Sequence, residues 1–278
     1  MSVSADTALR HDLVRLAERA ARAAGDLIRD ERPDRLAVSA TKTSPTDVVT
    51  VMDERSEALL RDLLLGERPD DGLLGEEGSG RTGSSGITWV VDPIDGTVNY
   101  LYDLPAYAVS VAAVTGDMRT GDWDVLAGCV HNPANGETFT ATRGGGAFLD
   151  GRPLRVGTVV DPAQALVATG FGYEAERRRR QAQVVAAVLP QVRDIRRLGS
   201  AAIDLCQVAC GRVDAYFERG LQPWDMAAGV LVAREAGAVV SGLAGAPPGE
   251  QFLLAAGPSL HAEMEAILAP LRPDTDAV

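Results

Sequence analysis

Asp92 and Asp95 close an apolar run in the segment Thr88-Trp89-Val90-Val91-Asp92-Pro93-Ile94-Asp95-Gly96-Thr97. Val90 and Val91 read as a buried strand, Pro93 as its end, and Gly96-Thr97 as a turn into a helix. Both carboxylates are then expected at the carboxyl end of a strand, facing one mouth. Carboxylates held this close repel unless one is protonated or a cation lies between them, and no basic residue is near them in the chain. A divalent metal answers the repulsion, and hard oxygen ligands suit Mg²⁺ or Mn²⁺ rather than zinc. The Gly96 and Thr97 amides can then face a phosphate. The same residues also suit a surface turn, because Asp, Pro and Gly are common turn formers.

Two other acid-bearing segments favour the metal reading. Leu73-Leu74-Gly75-Glu76-Glu77 is a second short apolar run ending in acids, and Pro223-Trp224-Asp225 precedes an apolar-periodic stretch over residues 226–236. Asp225 at that helix start is equally suited to be an N-cap. Lys42 is the only lysine in the chain, every other fixed cation being arginine. Its ammonium is a compact point charge where a guanidinium is a planar fork, so a cramped site beside metal and water would accept only the former. Chance survival on a solvated loop before Ser44-Pro45 is the alternative.

Taken together, Gly75-Glu76-Glu77, Asp92-Pro93-Ile94-Asp95-Gly96-Thr97 and Trp224-Asp225, with Lys42 and Asp53 ahead of them, resemble the inositol monophosphatase family of Mg²⁺-dependent, lithium-sensitive phosphatases. Gly170-Phe171-Gly172-Tyr173 and Gly199-Ser200-Ala201-Ala202 bring the resemblance closest to the bacterial SuhB-type inositol-1-monophosphatases. The resemblance implies the layered αβαβα sandwich shared with fructose-1,6-bisphosphatase, and a phosphomonoesterase acting on myo-inositol 1-phosphate.

It also implies a site. Glu76, Asp92 and the Ile94 carbonyl would hold a first Mg²⁺, Asp92, Asp95 and Asp225 a second, and a third, looser ion would lean on Glu76. Mn²⁺ is a possible substitute. Two such ions can hold the attacking and leaving oxygens of a phosphate ester in line. Thr97 and Asp53 would orient the attacking water, Gly96 and Thr97 amides would cradle the phosphate, and Asp95, Ala201 and Glu218 would meet hydroxyls of the alcohol. Glu77 is taken as a supporting or solvent-facing neighbour of Glu76. Phe171 and Gln222 depart from some relatives and leave the preferred alcohol open. Val98-Asn99-Tyr100 favours inositol phosphates over histidinol phosphate; fructose-1,6-bisphosphate, histidinol phosphate and 3'-phosphoadenosine 5'-phosphate remain alternatives, as does a regulatory binding protein of the same fold. The family also implies a homodimer.

Composition sets the frame. The chain of 278 residues is long enough for one broad domain or two packed halves. Charged residues interrupt the N-terminal apolar stripe and no run of about 18 apolar residues exists, so neither a signal peptide nor a membrane span is expected and a cytoplasmic location follows. Cys129, Cys206 and Cys210 lack zinc-type spacing, and the last two are expected as small core residues on a helix. A net charge of -12 argues against nucleic acid as a partner. Arg177, Arg178, Arg179 and Arg180 form the one basic run, expected on a solvated helix face or steering phosphate to the mouth.

Leu9, Leu13, Leu16, Ala20, Ala24 and Leu27 recur at helical spacing, predicting a helix over residues 5–31. A second helix is expected after Ser44-Pro45-Thr46-Asp47, burying Val48, Val49, Met52, Leu59, Leu60 and Leu63, with Asp53 off the stripe. Residues 73–156 read as short strands at 89–91, 106–114, 125–130, 137–141 and 146–149. Beyond them strands at 166–169, 195–198, 213–218, 239–240 and 252–256 alternate with helices at 174–190, 200–210, from 225, and 259–271. The expected division is therefore 1–156, N-terminal helices and a mainly antiparallel sheet bearing most metal ligands, and 157–278, an α/β half bearing Asp225 and substrate contacts. The Gly- and Ser-rich stretch 78–86 reads as a mobile loop, and the chain beyond Pro273 as disordered.

Overall fold

A computed structural model describes residues 3–33, 40–41, 48–78, 80–117 and 122–275. In chain order its elements are α1 (Val3–Asp30), β1 (Ala40–Thr41), β2 (Val48–Val49), α2 (Val51–Glu67), β3 (Gly72–Gly75), β4 (Gly80–Arg81), β5 (Ile87–Asp95), α3 (Thr97–Leu101), β6 (Ala108–Asp117), β7 (Asp122–His131), β8 (Thr138–Thr142), β9 (Gly146–Leu149) and β10 (Arg152–Pro153). There follow β11 (Leu166–Thr169), α4 (Ala175–Val188), β12 (Asp194–Arg196), α5 (Ala201–Ala209), β13 (Ala215–Glu218), α6 (Pro223–Glu235), β14 (Val239–Ser241), β15 (Leu253–Ala256) and α7 (Pro258–Leu268).

Among the described residues one sheet has the order β10-β9-β8-β7-β6-β5-β3-β4 and is antiparallel except where β3 runs parallel to β5. A second has the order β12-β11-β13-β15-β14, parallel across its first three strands and antiparallel across the rest. Leu13, Leu16, Ala20 and Ala24 of α1 pack with Met52, Leu60 and Leu64 of α2 and with Trp89, Val91, Val109 and Val111 on one face of the first sheet. Helices α5 and α6 fill the space between the sheets. From Met226 to Ala233 every residue of α6 is buried, as expected of a helix apolar on all sides. On the far face of the second sheet, Val184 and Val188 of α4 and Leu260, Met264 and Leu268 of α7 close the last layer. The layers run α-β-α-β-α, the sandwich expected from the sequence.

Several local expectations differ. Val48 and Val49 form a strand paired with Ala40 and Thr41 rather than the start of a helix, in keeping with their β-branched side chains. Leu63 faces solvent. Strand β5 does not stop at Pro93: the ladder slips between Asp92 and Asp95 and resumes at the Asp95–Ala108 pair, because proline removes one donor without ending the strand. Described residues of the stretch 78–86 are anchored, with Gly80 and Arg81 paired to β3 and the Ser84 and Ser85 amides donating to the Asp70 carbonyl at 2.8 and 3.0 Å. Helix α6 starts at Pro223, earlier than read from the sequence. Pro273 and Asp274 form a turn, the Thr275 amide donating to the Arg272 carbonyl at 3.3 Å, and residues 276–278 lie outside the described residues. Cys206 is buried, whereas Cys210 is only partly so.

Candidate metal and phosphate site

The slip in β5 decides where the acids point. Residues three apart on a regular strand face opposite sides of the sheet, but the irregular ladder between Asp92 and Asp95 lets both reach one cavity. The Asp92 Oδ1 accepts the Ile94 amide at 3.0 Å, which fixes the tight turn at Pro93. Asp225 is the third residue of α6, not its cap. Pro223 opens the helix, Gln222 is the cap, and Asp225 Oδ2 accepts the Gln222 amide at 2.6 Å.

Oxygens of Asp92, Asp95 and Asp225 lie within 4.8 Å of one another. Glu76 lines the same cavity from the turn after β3. Burial, then the negative charges of Glu76, Asp95 and Asp225, push the Asp92 carboxyl well above the ordinary range. Burial, Glu76 and Asp95 do the same to Asp225. Asp95 rises to about 6: burial raises it, while the Ser200 hydroxyl and the Ala202 amide, each donating to its Oδ2 at 2.6 Å, hold it down. Among the described residues no arginine pairs with these three acids. Buried, crowded, all-oxygen and short of positive charge, the set fits a hard divalent cation.

Asp53 is buried in the first turn of α2, where its Oδ2 closes a capping box by accepting the Thr50 amide at 2.8 Å and the Thr50 hydroxyl at 2.5 Å. Its Oδ1 lies 3.1 Å from the Thr97 Oγ1, which is also 3.0 Å from the Ile94 carbonyl. One hydroxyl hydrogen serves one of these acceptors at a time. Burial lifts Asp53 to about 6 against the pull of its Thr50 hydrogen bonds.

Across the cavity, of about 500 Å³, stands Glu218. Its Oε2 accepts the Tyr216 hydroxyl at 2.6 Å, and burial raises it to about 7. Gly170 makes room for it: a Cβ there would stand 1.8 Å from Glu218 Oε2. Ala201 lines the cavity with its amide aimed at Asp95. Gly96, at φ 98°, is backed by the Ala106 carbonyl. Lys42 lies outside the described residues.

The basic run divides. Arg177 lines the cavity, with its side chain against Gly172 and Gly220, and Arg178 donates to the Gly172 carbonyl at 2.7 Å. Arg179 pairs with Glu176 and Arg180 donates to the Leu271 carbonyl. Sequence reasoning missed Arg197, stacked 5.8 Å from the Phe171 ring in the cavity wall, and gave no role to Ser200. Ser200 carried a signal, since Ser before an apolar helical run is a preferred N-cap. Asn99, quoted only as part of a motif, ties α3 to the far wall by donating to the Ala106 and Leu198 carbonyls at 2.6 and 2.7 Å.

The family model of the inositol monophosphatase family matches residues 10–274. The chain belongs to the inositol monophosphatase family. It is 51% identical over 208 residues to the inositol-1-monophosphatase SuhB of Mycobacterium tuberculosis, covering 72% of this chain and 70% of that protein. It is 41% identical over 248 residues to the protein of Escherichia coli K12 named Nus factor SuhB, covering 88% and 89%. The solved structure of Mycobacterium tuberculosis SuhB superposes with a TM-score of 0.79 at 42% identity, over 95% of this chain and 98% of that one. The inositol monophosphatase family member described here is thus a phosphatase, built on the fold of the SuhB proteins. No helix among the described residues is long and apolar enough to cross a membrane.

Proposed function

We propose that this phosphatase hydrolyses myo-inositol 1-phosphate and related inositol monophosphates to inositol and phosphate, with Mg²⁺ as the working cation and Mn²⁺ as a substitute. The observation that carries the reading is the meeting of Asp92, Asp95 and Asp225 from distant parts of the chain within 4.8 Å, beside Glu76. Glu76, Asp92 and the Ile94 carbonyl would hold one ion, and Asp92, Asp95 and Asp225 another, with a third, looser ion leaning on Glu76. When bound, such ions neutralise the phosphate and sharpen the nucleophile.

The protein's own groups do the rest. Thr97 gives its hydrogen to Asp53 and turns a lone pair toward the attacking water. Asp53, ionised at neutral pH from a value of about 6, draws proton density through that hydroxyl. By family resemblance Lys42, whose ammonium is a compact point charge, would add positive charge to the reaction. Gly96 and Thr97 amides receive the phosphate, while Glu218, Asp95 and Ala201 face the alcohol. Glu218 is suited to hydroxyl groups because its buried carboxylate already accepts one, from Tyr216.

Residues 1–156 and 157–278 act as two halves meeting at this cavity. Buried Cys129 and Cys206 suit a cytoplasmic setting, and family resemblance supports lithium inhibition and a homodimer as part of the proposal. The decisive assay is a substrate panel with Mg²⁺, comprising inositol-1-phosphate, fructose-1,6-bisphosphate, histidinol phosphate and 3'-phosphoadenosine 5'-phosphate. Inositol-1-phosphate is expected to be hydrolysed fastest, with activity vanishing on chelation. If it is the poorest substrate, the assignment fails.

A second reading, a regulatory protein of the transcription machinery, is favoured by the name Nus factor SuhB borne by the relatives from Escherichia coli and Vibrio cholerae. Asp95→Asn separates the two roles: hydrolysis is expected to disappear with the fold intact. An unchanged rate in that variant would remove the acids from the reaction.

A further inference from the structure

Glu57 has no part in the chemistry above, yet its carboxylate is buried, at 2% exposure, on the face of α2 that meets the site. Its Oε2 accepts the Glu77 backbone amide at 2.8 Å. The same oxygen presses against Gly75, where a Cβ would stand 2.3 Å away. These two contacts bracket Glu76. That residue sits in a turn just beyond the end of β3, where the sheet ladder no longer fixes the backbone.

Two neighbours on the helix act alike on other segments of the site. Asp53 faces the Thr97 hydroxyl at 3.1 Å, and the Ser56 hydroxyl donates to the Pro93 carbonyl at 3.1 Å. Residues 53, 56 and 57 fall on one helix face by the three- and four-residue spacing. One rigid helix therefore sets the register of the Thr97, Asp92–Asp95 and Glu76 segments.

We propose that Glu57 is a positioning residue of the metal centre: its buried carboxylate locks the turn 75–77 and thereby holds the Glu76 carboxylate toward Asp92 and Asp225. The inference rests on the reading of the acid cluster as a cation site. Gly75 is required in the same device, because any side chain there would drive Glu57 off the Glu77 amide. Partners that orient metal ligands are commonly worth about 10–100-fold in affinity.

The test is Mn²⁺ binding to the full chain, followed by electron paramagnetic resonance of the free ion, with thermal melts run alongside. Glu57→Ala is expected to weaken half-saturation by about tenfold or more, whereas Glu57→Gln, whose amide oxygen still accepts from Glu77, stays within about threefold of wild type. Glu57→Asp, one methylene too short, should resemble Glu57→Ala and replaces it if that variant does not fold. Wild-type affinity in the deciding variant overturns the assignment, and so does a loss in Glu57→Gln as large as in Glu57→Ala. Glu76→Gln separates this inference from the reading beneath it. If wild type binds no Mn²⁺, or Glu76→Gln binds it unchanged, the cation site itself falls. Binding weakened in Glu76→Gln but kept in Glu57→Ala removes Glu57 alone.

Discussion

Ser200 donates its hydroxyl to Asp95 Oδ2 at 2.6 Å, tying the start of α5 to the end of β5. The same hydroxyl oxygen caps α5 by accepting the Ile203 amide at 3.3 Å. A single side chain therefore both begins a helix of the central layer and orients an acid of the candidate metal site. Ser200→Ala is expected to cost about 1 kcal/mol of stability through the lost cap. It should also weaken Mg²⁺ half-saturation about tenfold, as loss of a ligand's orienting partner does. Thermal melts and Mg²⁺ titrations of activity measure the two effects, and Ser200→Thr should restore both.

Glu218 occupies space that only Gly170 leaves open. Gly170→Ala would push the carboxylate off its Tyr216 partner, and such overpacking costs about 1–3 kcal/mol. We expect KM for inositol-1-phosphate to rise about tenfold, equivalent to about 1.4 kcal/mol. An aryl phosphate without hydroxyl groups should be hydrolysed nearly as before. Equal losses on both substrates would place Glu218 outside alcohol recognition.

The acids also predict how the metal-free protein responds to pH. Asp92 and Asp225 sit well above their ordinary values, and Asp53 and Asp95 at about 6. The folded state thus binds more protons than the unfolded one, so stability from these groups is full at low pH and is lost as pH rises through the folded values. His131 and His261, both lowered by burial, act in the opposite direction. Comparing chelated and Mg²⁺-loaded protein at each pH cancels the histidines. The gain in Tm on adding Mg²⁺ should grow from about pH 5 to about pH 8, because the deprotonated carboxylates bind the ion. A gain that is constant or shrinks over that interval would contradict the cation site.

Lys42→Arg is expected to lose most turnover while folding normally, since a planar fork replaces a point charge. Steady-state rates at saturating Mg²⁺ decide it. A wild-type rate would show the lone lysine to be incidental.

Much of the site was legible because its residues are locally marked. The apolar run into Asp-Pro-Ile-Asp-Gly-Thr announced a strand entering a turn, and Pro223 with Asp225 marked a helix start, although the proline placed that start earlier than the apolar period suggested. Asp53 was harder. Its Thr50-x-x-Asp53 pattern is a capping-box signature, yet the apolar period places it only off the stripe, and its role beside Thr97 comes from the family resemblance alone. Glu57 carried just one hint, an acid four residues after Asp53 on the same helix face.

By itself the sequence marked the helices, strands and acid-bearing motifs, because strand and helix periods and turn residues act over a few neighbours, and the resemblance of those motifs to a known family implied the layered fold. The tertiary structure supplies the reason that Asp92 and Asp95 face one mouth as expected, since a slip of the ladder against β6 and not the local pattern sets their direction. It alone brought Asp225 to them and Ser200 under Asp95, for contacts between segments far apart in the chain depend on how the two sheets close around α5 and α6. That closure also buries the acids. Desolvation and mutual repulsion, which no single segment contains, then push these carboxylates well above their ordinary range and leave a set that fits a cation.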